Sequence, residues 1–252
     1  KPANVCAVYC RYCFRREAVG PGANILSAEE RTAALNYIRA NKEIWEVILT
    51  GGDPLVLSPR QLDETFAALD DISHVQTLRI HTRAPIADPD RITDDVIKTL
   101  KRDTPIYIVL HINHAQEITP KVEQALKKLR AAGCTLLSQS VLLKGVNDNP
   151  DTLEQLFKKL ITLRVQPYYL HHPDMAPGTA HFRLSIKRGQ EIMQELQGRI
   201  SGTALPKYML DIPGGHGKIQ INSSYINENN NDTYTLTDPN GRAHQYPPKG
   251  SK

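Results

Sequence analysis

Aliphatic runs with the look of buried strands recur along this chain at a regular beat, and that beat constrains the fold more than any other feature. They open at Val47, Thr77, Ile106, Thr135 and Val165, with a sixth at Lys207. The first five start about 30 residues apart, the length of one strand–helix–strand unit. Amphipathic stretches with helix start signals lie between them. Ser27 with Glu30 makes a capping box ahead of a helix over 31–42. Ser58-Pro59 and Thr119-Pro120 each set a cap residue before a proline at the first helical position. Gly133 stops the helix over 120–132, and further helices are expected over 93–101, 152–163 and 187–198. Nearly continuous apolar strands alternating with helices mean a parallel sheet covered by helices. Six units indicate an α/β fold of the partial (β/α)6 barrel type, with a doubly wound open sheet as the alternative. Both place the working residues at the C-terminal ends of the strands. After Ile221 the chain changes character. An Asn-rich run over 227–232 leads into a polar hairpin around Asn240-Gly241, so the barrel is assigned to 1–221 and a hairpin tail to 222–252.

The chain has 252 residues, 31 Lys and Arg against 27 Asp and Glu, and a hydrophobic content of 40%. That is ample for a core and argues against disorder. No apolar run approaches the roughly 18–20 residues that span a bilayer, and no face-long basic block suggests nucleic acid. A cytoplasmic protein is expected, with neither membrane nor nucleic-acid partners. The first residue is Lys1, close to the most informative motif, and the reading is of a fragment or processed product whose upstream part is missing.

Three of the four cysteines fall within eight residues, at Cys6, Cys10 and Cys13, with Cys134 alone. Four cysteines in a chain this long do not make a disulfide scaffold, and a compact triplet points to metal or redox chemistry. Structural zinc usually takes four ligands as two separated pairs, so it needs a distant His or Cys134 here. Three thiolates on one short loop can instead hold three irons of a cubane cluster, leaving the fourth iron open. On this C-x3-C-x2-C spacing the chain resembles the radical S-adenosylmethionine superfamily. That resemblance implies a [4Fe-4S] cluster whose open iron chelates S-adenosyl-L-methionine, and cleavage to a 5′-deoxyadenosyl radical. It also sets Gly51, Gly52 and Asp53 against the methionyl group, where glycine lets the backbone approach closely.

Lys218 ends the Gly-rich run Pro213-Gly-Gly-His-Gly-Lys218, which is not a phosphate loop because Ile219 follows the lysine. A surface lysine on a turn and a Schiff-base lysine are the two readings. The chain further resembles lysine 2,3-aminomutase and its relatives. The matching stretches are Cys10-Arg-Tyr-Cys-Phe-Arg-Arg16, Thr50-Gly-Gly-Asp-Pro54, His111-Ile-Asn-His114, Gln139 through Asp148, Pro167-Tyr-Tyr169, His181-Phe-Arg183 and the Lys218 loop. The resemblance implies that Lys218 carries pyridoxal 5′-phosphate and that Gln139 and His111 lie near the cofactors. Arg15 would bind the substrate carboxylate, and Asp174 and Asp211 the ε-ammonium of lysine. Two carboxylates at strand ends suit a cationic substrate, although ordinary turn capping explains either one alone. His111, His114, His171 and His172 read more readily as hydrogen-bonded pocket residues than as metal ligands.

The expected activity is therefore a radical isomerase interconverting L-lysine and β-lysine, drawing electrons from a donor such as flavodoxin or ferredoxin and compatible with a homo-oligomer. A sister branch that supplies β-lysine to translation elongation factor P shares the Cys-Arg-Tyr-Cys-Phe-Arg-Arg run and is one alternative. A non-catalytic zinc module is another. Family members acting on free lysine carry a zinc site built on cysteines after Asp148 and in the tail. Asn149 follows Asp148 here and the tail has no cysteine, so no such site is expected.

Overall fold

The computed structural model describes residues 1–229 and 233–247, so the end of the Asn-rich run at 230–232 and the last five residues lie outside it. Among the described residues the strands form two sheets. The larger runs β1 (Glu46–Leu49), β2 (Thr77–Thr82), β3 (Ile106–His111), β4 (Thr135–Val141), β5 (Gln166–His171), β6 (Lys207–Asp211) and β7 (Lys218–Gln220) in sequence order. Each of the first five pairs in parallel with the next. An order that never doubles back, with helical crossovers between neighbours, curls the sheet into an open part-barrel. The doubly wound alternative is thereby excluded, because it requires the strand order to reverse.

Ahead of β1 lies α1 (Ala28–Ala40), and the crossovers are α2 (Pro59–Asp70), the short α3 (Ala84–Ala87), α4 (Asp94–Leu100), α5 (Pro120–Ala131), α6 (Pro150–Thr162) and α7 (Ile186–Arg199). Ser27 and Ser58 both close reciprocal capping boxes. Two helices start earlier than the sequence reading put them. α1 begins directly after its cap at Ser27, and α6 begins at Pro150 because Asn149 caps it and proline suits the first helical position.

Alternation along the strands divides core from site. Leu78 and Ile80 of β2, Ile108 and Leu110 of β3 and Leu136 of β4 are at most 3% exposed and belong to one core with Phe66, Leu126, Phe157 and Leu196 of the helices. The intervening Arg79, His81, His111, Gln139, Tyr169 and His171 line a cavity inside the curl. At about 25 cal/mol per Å² the helix-facing layer supplies the apolar stabilisation, which frees the inner layer to be polar.

Two features differ from the sequence reading. β7 returns antiparallel on β6, with Asp211 facing Lys218, so a seventh strand closes what was read as a six-unit sheet. The tail is a three-stranded antiparallel sheet rather than a lone hairpin. β8 (Ile226–Glu228) adds to the pair β9 (Tyr234–Thr237) and β10 (Ala243–Tyr246), whose turn carries Gly241 at φ 81°. An isolated hairpin is marginal in water, and a third strand answers that.

Candidate active site

The cavity opens at the C-terminal ends of the parallel strands and has a volume of about 830 Å³. Cys6, Cys10, Cys13 and Arg15 lie on one side, Asp174, Asp211 and Lys218 on another, with His81, His111 and Gln139 on the strands between. All twelve candidate site residues from the sequence line this one space, Gly51, Gly52 and Asp53 included.

The cysteine loop has no strand of its own and is held by stitching. Its lead-in hydrogen-bonds along the end of β1, with Gly52 N donating to Ala3 O at 2.6 Å and Asp53 N to Val5 O at 2.8 Å. This contact accounts for the two glycines differently from the sequence reading. A Cβ on Gly52 would lie 2.2 Å from Val5 O and one on Gly51 2.4 Å from Ala3 O, and Gly51 holds φ 131°. The close approach they permit is to the chain's own lead-in segment. Asp53 also works inward. It is 4% exposed, and its two oxygens accept from Leu55 N, Thr82 Oγ1, Arg83 N and Ala84 N. Burial pushes its carboxyl up, against the pull of these donors.

Tyr12, between two of the cysteines, reaches Arg83, which also pairs with Glu117. Glu117 in turn accepts from Asn113 N at 2.7 Å and His114 N at 3.0 Å. On the far side Arg16 donates to Pro177 O at 3.2 Å and the Arg11 guanidinium lies 5.5 Å from the Phe182 ring centre. The loop therefore bridges the mouth from β2 and β3 to the segment after β5. Sequence reasoning missed the Tyr12–Arg83–Glu117 chain, whose directly bonded members are up to 71 positions apart.

No helix of the described residues is long and apolar enough to cross a membrane. Nor, among them, do three His, Cys, Asp or Glu side chains close on a point as ligands of one ion. The three thiols share one side of the cavity, and a cubane takes its thiolates on separate irons, whereas zinc gathers its donors within about 2–2.3 Å of one centre. Cys134 is 6% exposed and precedes β4, at the opposite end of the strand from the mouth, so it cannot complete a site with the triplet. Burial, the Asp53 charge and the other two thiols push Cys6 up to about 11. A clustered cation is what would offset such mutual resistance to ionisation.

Arg15 Nη1 donates to Thr50 Oγ1 at 3.2 Å and Gly51 O at 3.3 Å, which fixes the guanidinium at the cavity wall. Across the space, Asp211 pairs with Lys218 and accepts from His171 Nδ1 at 3.1 Å. The His171 hydrogen bond comes first and Lys218 next in holding the Asp211 carboxyl down at about 2. Asp174 moves the other way, raised by burial and then by the Asp211 charge. Gly214, Gly215 and Gly217 all have positive φ in the turn that returns the chain to Lys218, and a Cβ on Gly215 or Gly217 would meet open space. There is room beside Lys218 for a planar ring.

Burial lowers His81 to about 4 and His111 to about 3, so both are neutral at physiological pH. Gln139 sits opposite His111 in the β3–β4 register. His114 caps a helical turn by accepting from Gln116 N, and His172 meets Tyr208 Oη at 2.7 Å. Both are hydrogen-bonded, as the sequence reading expected, but neither lines the cavity that it assigned them to. The stacked pair Tyr168 and Tyr169, with ring centres 3.7 Å apart, lines the cavity without having been singled out. So does Arg79, paired with Glu46.

The family model described as Radical SAM superfamily matches residues 1–157, and that described as Lysine-2,3-aminomutase matches residues 193–250. L-lysine 2,3-aminomutase of Methanococcus maripaludis is 44% identical over 88% of this chain and 51% of its own length. That of Clostridium subterminale is 37% identical over 92% and 56%. Glutamate 2,3-aminomutase of Clostridioides difficile is 40% identical over 88% and 53%. The chain thus spans about half the length of the curated relatives it matches. Among solved structures, anSMEcpe with AdoMet and a peptide bound superposes with a TM-score of 0.58 at 11% identity, covering 77% of this chain and 56% of that one. A radical SAM methyltransferase from Sphaerobacter thermophilus gives 0.56 at 19% identity, covering 81% and 63%. At such identities these two establish the fold alone.

Proposed function

The chain belongs to the radical S-adenosylmethionine superfamily, and from that premise we propose that it is an isomerase moving an amino group between C2 and C3 of L-lysine to give β-lysine. The observation that carries the reading is the arrangement of one cavity, with the cysteine triplet and Arg15 on one wall and Lys218 with two aspartates on another. When bound, a [4Fe-4S] cluster with S-adenosyl-L-methionine supplies a 5′-deoxyadenosyl radical, and pyridoxal 5′-phosphate supplies a conjugated ring that spreads unpaired spin. Cys6, Cys10 and Cys13 would hold the cluster, Lys218 would hold the ring, and the Gly51–Gly52 backbone with Gln139 and His111 would flank them.

The remaining work falls to the chain's own side chains. Arg15 offers a fixed cation to the substrate carboxylate. Asp211 and Asp174 offer negative charge to a distal ammonium. Held at both ends, the substrate presents a single C–H to the radical source, which is how positioning confines a reactive species. The neutral imidazoles of His81 and His111 keep additional positive charge out of the cavity.

At 40% identity the glutamate 2,3-aminomutase relative falls between the lysine ones at 37% and 44%, so overall identity does not choose the substrate. The aspartate pair favours lysine: a second carboxylate on the substrate would meet Asp174 and Asp211 and be repelled. Reconstituted protein supplied with S-adenosyl-L-methionine, reductant and pyridoxal 5′-phosphate should convert L-lysine to β-lysine and leave L-glutamate unchanged. Turnover of glutamate in preference to lysine would overturn the substrate assignment.

A further inference from the structure

His171 has no part in the reading above, yet it is 5% exposed and sits on the cavity wall. Its Nδ1 meets Asp211 Oδ2, while its Nε2 is buried and has no hydrogen-bond partner among the described residues. A carboxylate only accepts, so the contact puts a proton on Nδ1, and Asp211 is the ring's one polar attachment among the described residues. The Tyr169 ring stands edge-on to it, centres 5.5 Å apart at 89°, and fixes its plane.

The Asp211 carboxylate is therefore divided. Oδ2 is tied to a buried ring, and Oδ1 faces Lys218 Nζ, which approaches from the opposite strand in register. The two bonds differ in permanence. The His171 bond lies within the barrel wall, whereas the Lys218 amine is the group that the proposed function commits to a cofactor. Once Lys218 is so engaged, Oδ1 loses its cation and faces the cavity, beside Asp174. A carboxylate left half-paired in a confined site favours whatever cation can reach it.

We infer that His171 is the positioning residue of an exchangeable cation seat at Asp211, in which Oδ1 passes from Lys218 to the distal ammonium of the substrate while Oδ2 stays anchored. The inference rests on the lysine reading and deepens it.

The test uses the full chain loaded with pyridoxal 5′-phosphate and two probes, 6-aminohexanoate and hexanoate, which share a carboxylate and differ in the distal ammonium. Binding is read by calorimetry. Unmodified protein should prefer 6-aminohexanoate. His171→Phe should weaken that probe about tenfold, the usual scale for a hydrogen bond to a charged group, and leave hexanoate unchanged. His171→Asn, whose amide N–H falls near the position of Nδ1–H, should restore most of the loss. If His171→Phe does not fold, His171→Gln, with its donor displaced along the side chain, takes its place. Equal weakening of both probes, or of neither, overturns the positioning role and leaves the lysine reading standing. Equal binding of the two probes by unmodified protein removes the cation seat altogether, and the lysine reading with it.

Discussion

The two walls of the cavity are built in opposite ways. The wall that carries Lys218 is made of strands: Asp211 and Lys218 face each other across an antiparallel register, and His171 ends the strand beside them. The wall that carries the cysteines is irregular backbone, joined to the barrel by single hydrogen bonds, one cation–π contact and the Tyr12–Arg83–Glu117 chain. Regular structure fixes side chains through many cooperative bonds, whereas a stitched loop depends on each stitch. The lysine wall is thus organised before any ligand arrives, and the cysteine wall is the one whose order a bound cluster would complete.

The largest effects should separate the walls cleanly. Lys218→Ala should abolish the visible absorbance of bound pyridoxal and all amino migration, yet leave iron content intact. Serine in place of Cys6, Cys10 or Cys13 should do the reverse, abolishing iron binding while pyridoxal still loads. Loss of both groups in either variant would show that the walls do not assemble independently. Next in size is Gly52→Ala, which drives a methyl into the Val5 carbonyl. Overpacking against backbone costs about 1–3 kcal/mol, and iron retention should fall with it although no cysteine has changed.

Glu117→Gln removes the charge that faces Arg83. Both side chains are roughly one-fifth exposed, so a loss of about 1–2 kcal/mol is expected, visible as a lower unfolding midpoint and a cluster more readily lost to chelator. A pH titration tests the wall between the two. His81 and His111 have folded values depressed below the unfolded 6.5, so their contribution to stability is present above pH 6.5 and is lost as pH falls toward about 4 and 3. Linkage puts the loss on the order of 2 kcal/mol per ring by pH 5. Replacing both with Gln should flatten that limb of the curve. Smallest is Cys134→Ala, which trims a buried thiol from the core and should cost about 1 kcal/mol with iron content unchanged.

Local chemistry was legible in the sequence and long-range partnership was not. The strand beat, the Ser27 and Ser58 caps and the cysteine spacing are each determined within a few residues, and they located the sheet, the crossovers and the cavity mouth. β7 escaped because three residues after a glycine turn, Lys218 to Gln220, carry no periodicity of their own. Asp53 and the two glycines before it were marked for the site by the superfamily resemblance. What they touch, the lead-in at Ala3 and Val5 and the turn after β2, depends on tertiary placement. Asn147 is similar: it lies in a stretch matched by resemblance, and the structure finds it fully buried and bonded to Asn113 O, Val141 O and Leu143 N. The arginine–glutamate link behind Tyr12 and the His171–Asp211 pair carry no local signal, since neither residue type nor spacing distinguishes them from surface pairs.

In the proposed function, a radical source held by the cysteine wall acts on a substrate held by the lysine wall across a single cavity. L-lysine deuterated at C3 tests it most directly. Incubated with the reconstituted protein, S-adenosyl-L-methionine, pyridoxal 5′-phosphate and reductant, it should give 5′-deoxyadenosine carrying deuterium, together with β-lysine, by mass spectrometry. Deoxyadenosine that forms at the same rate but stays free of deuterium would contradict the account.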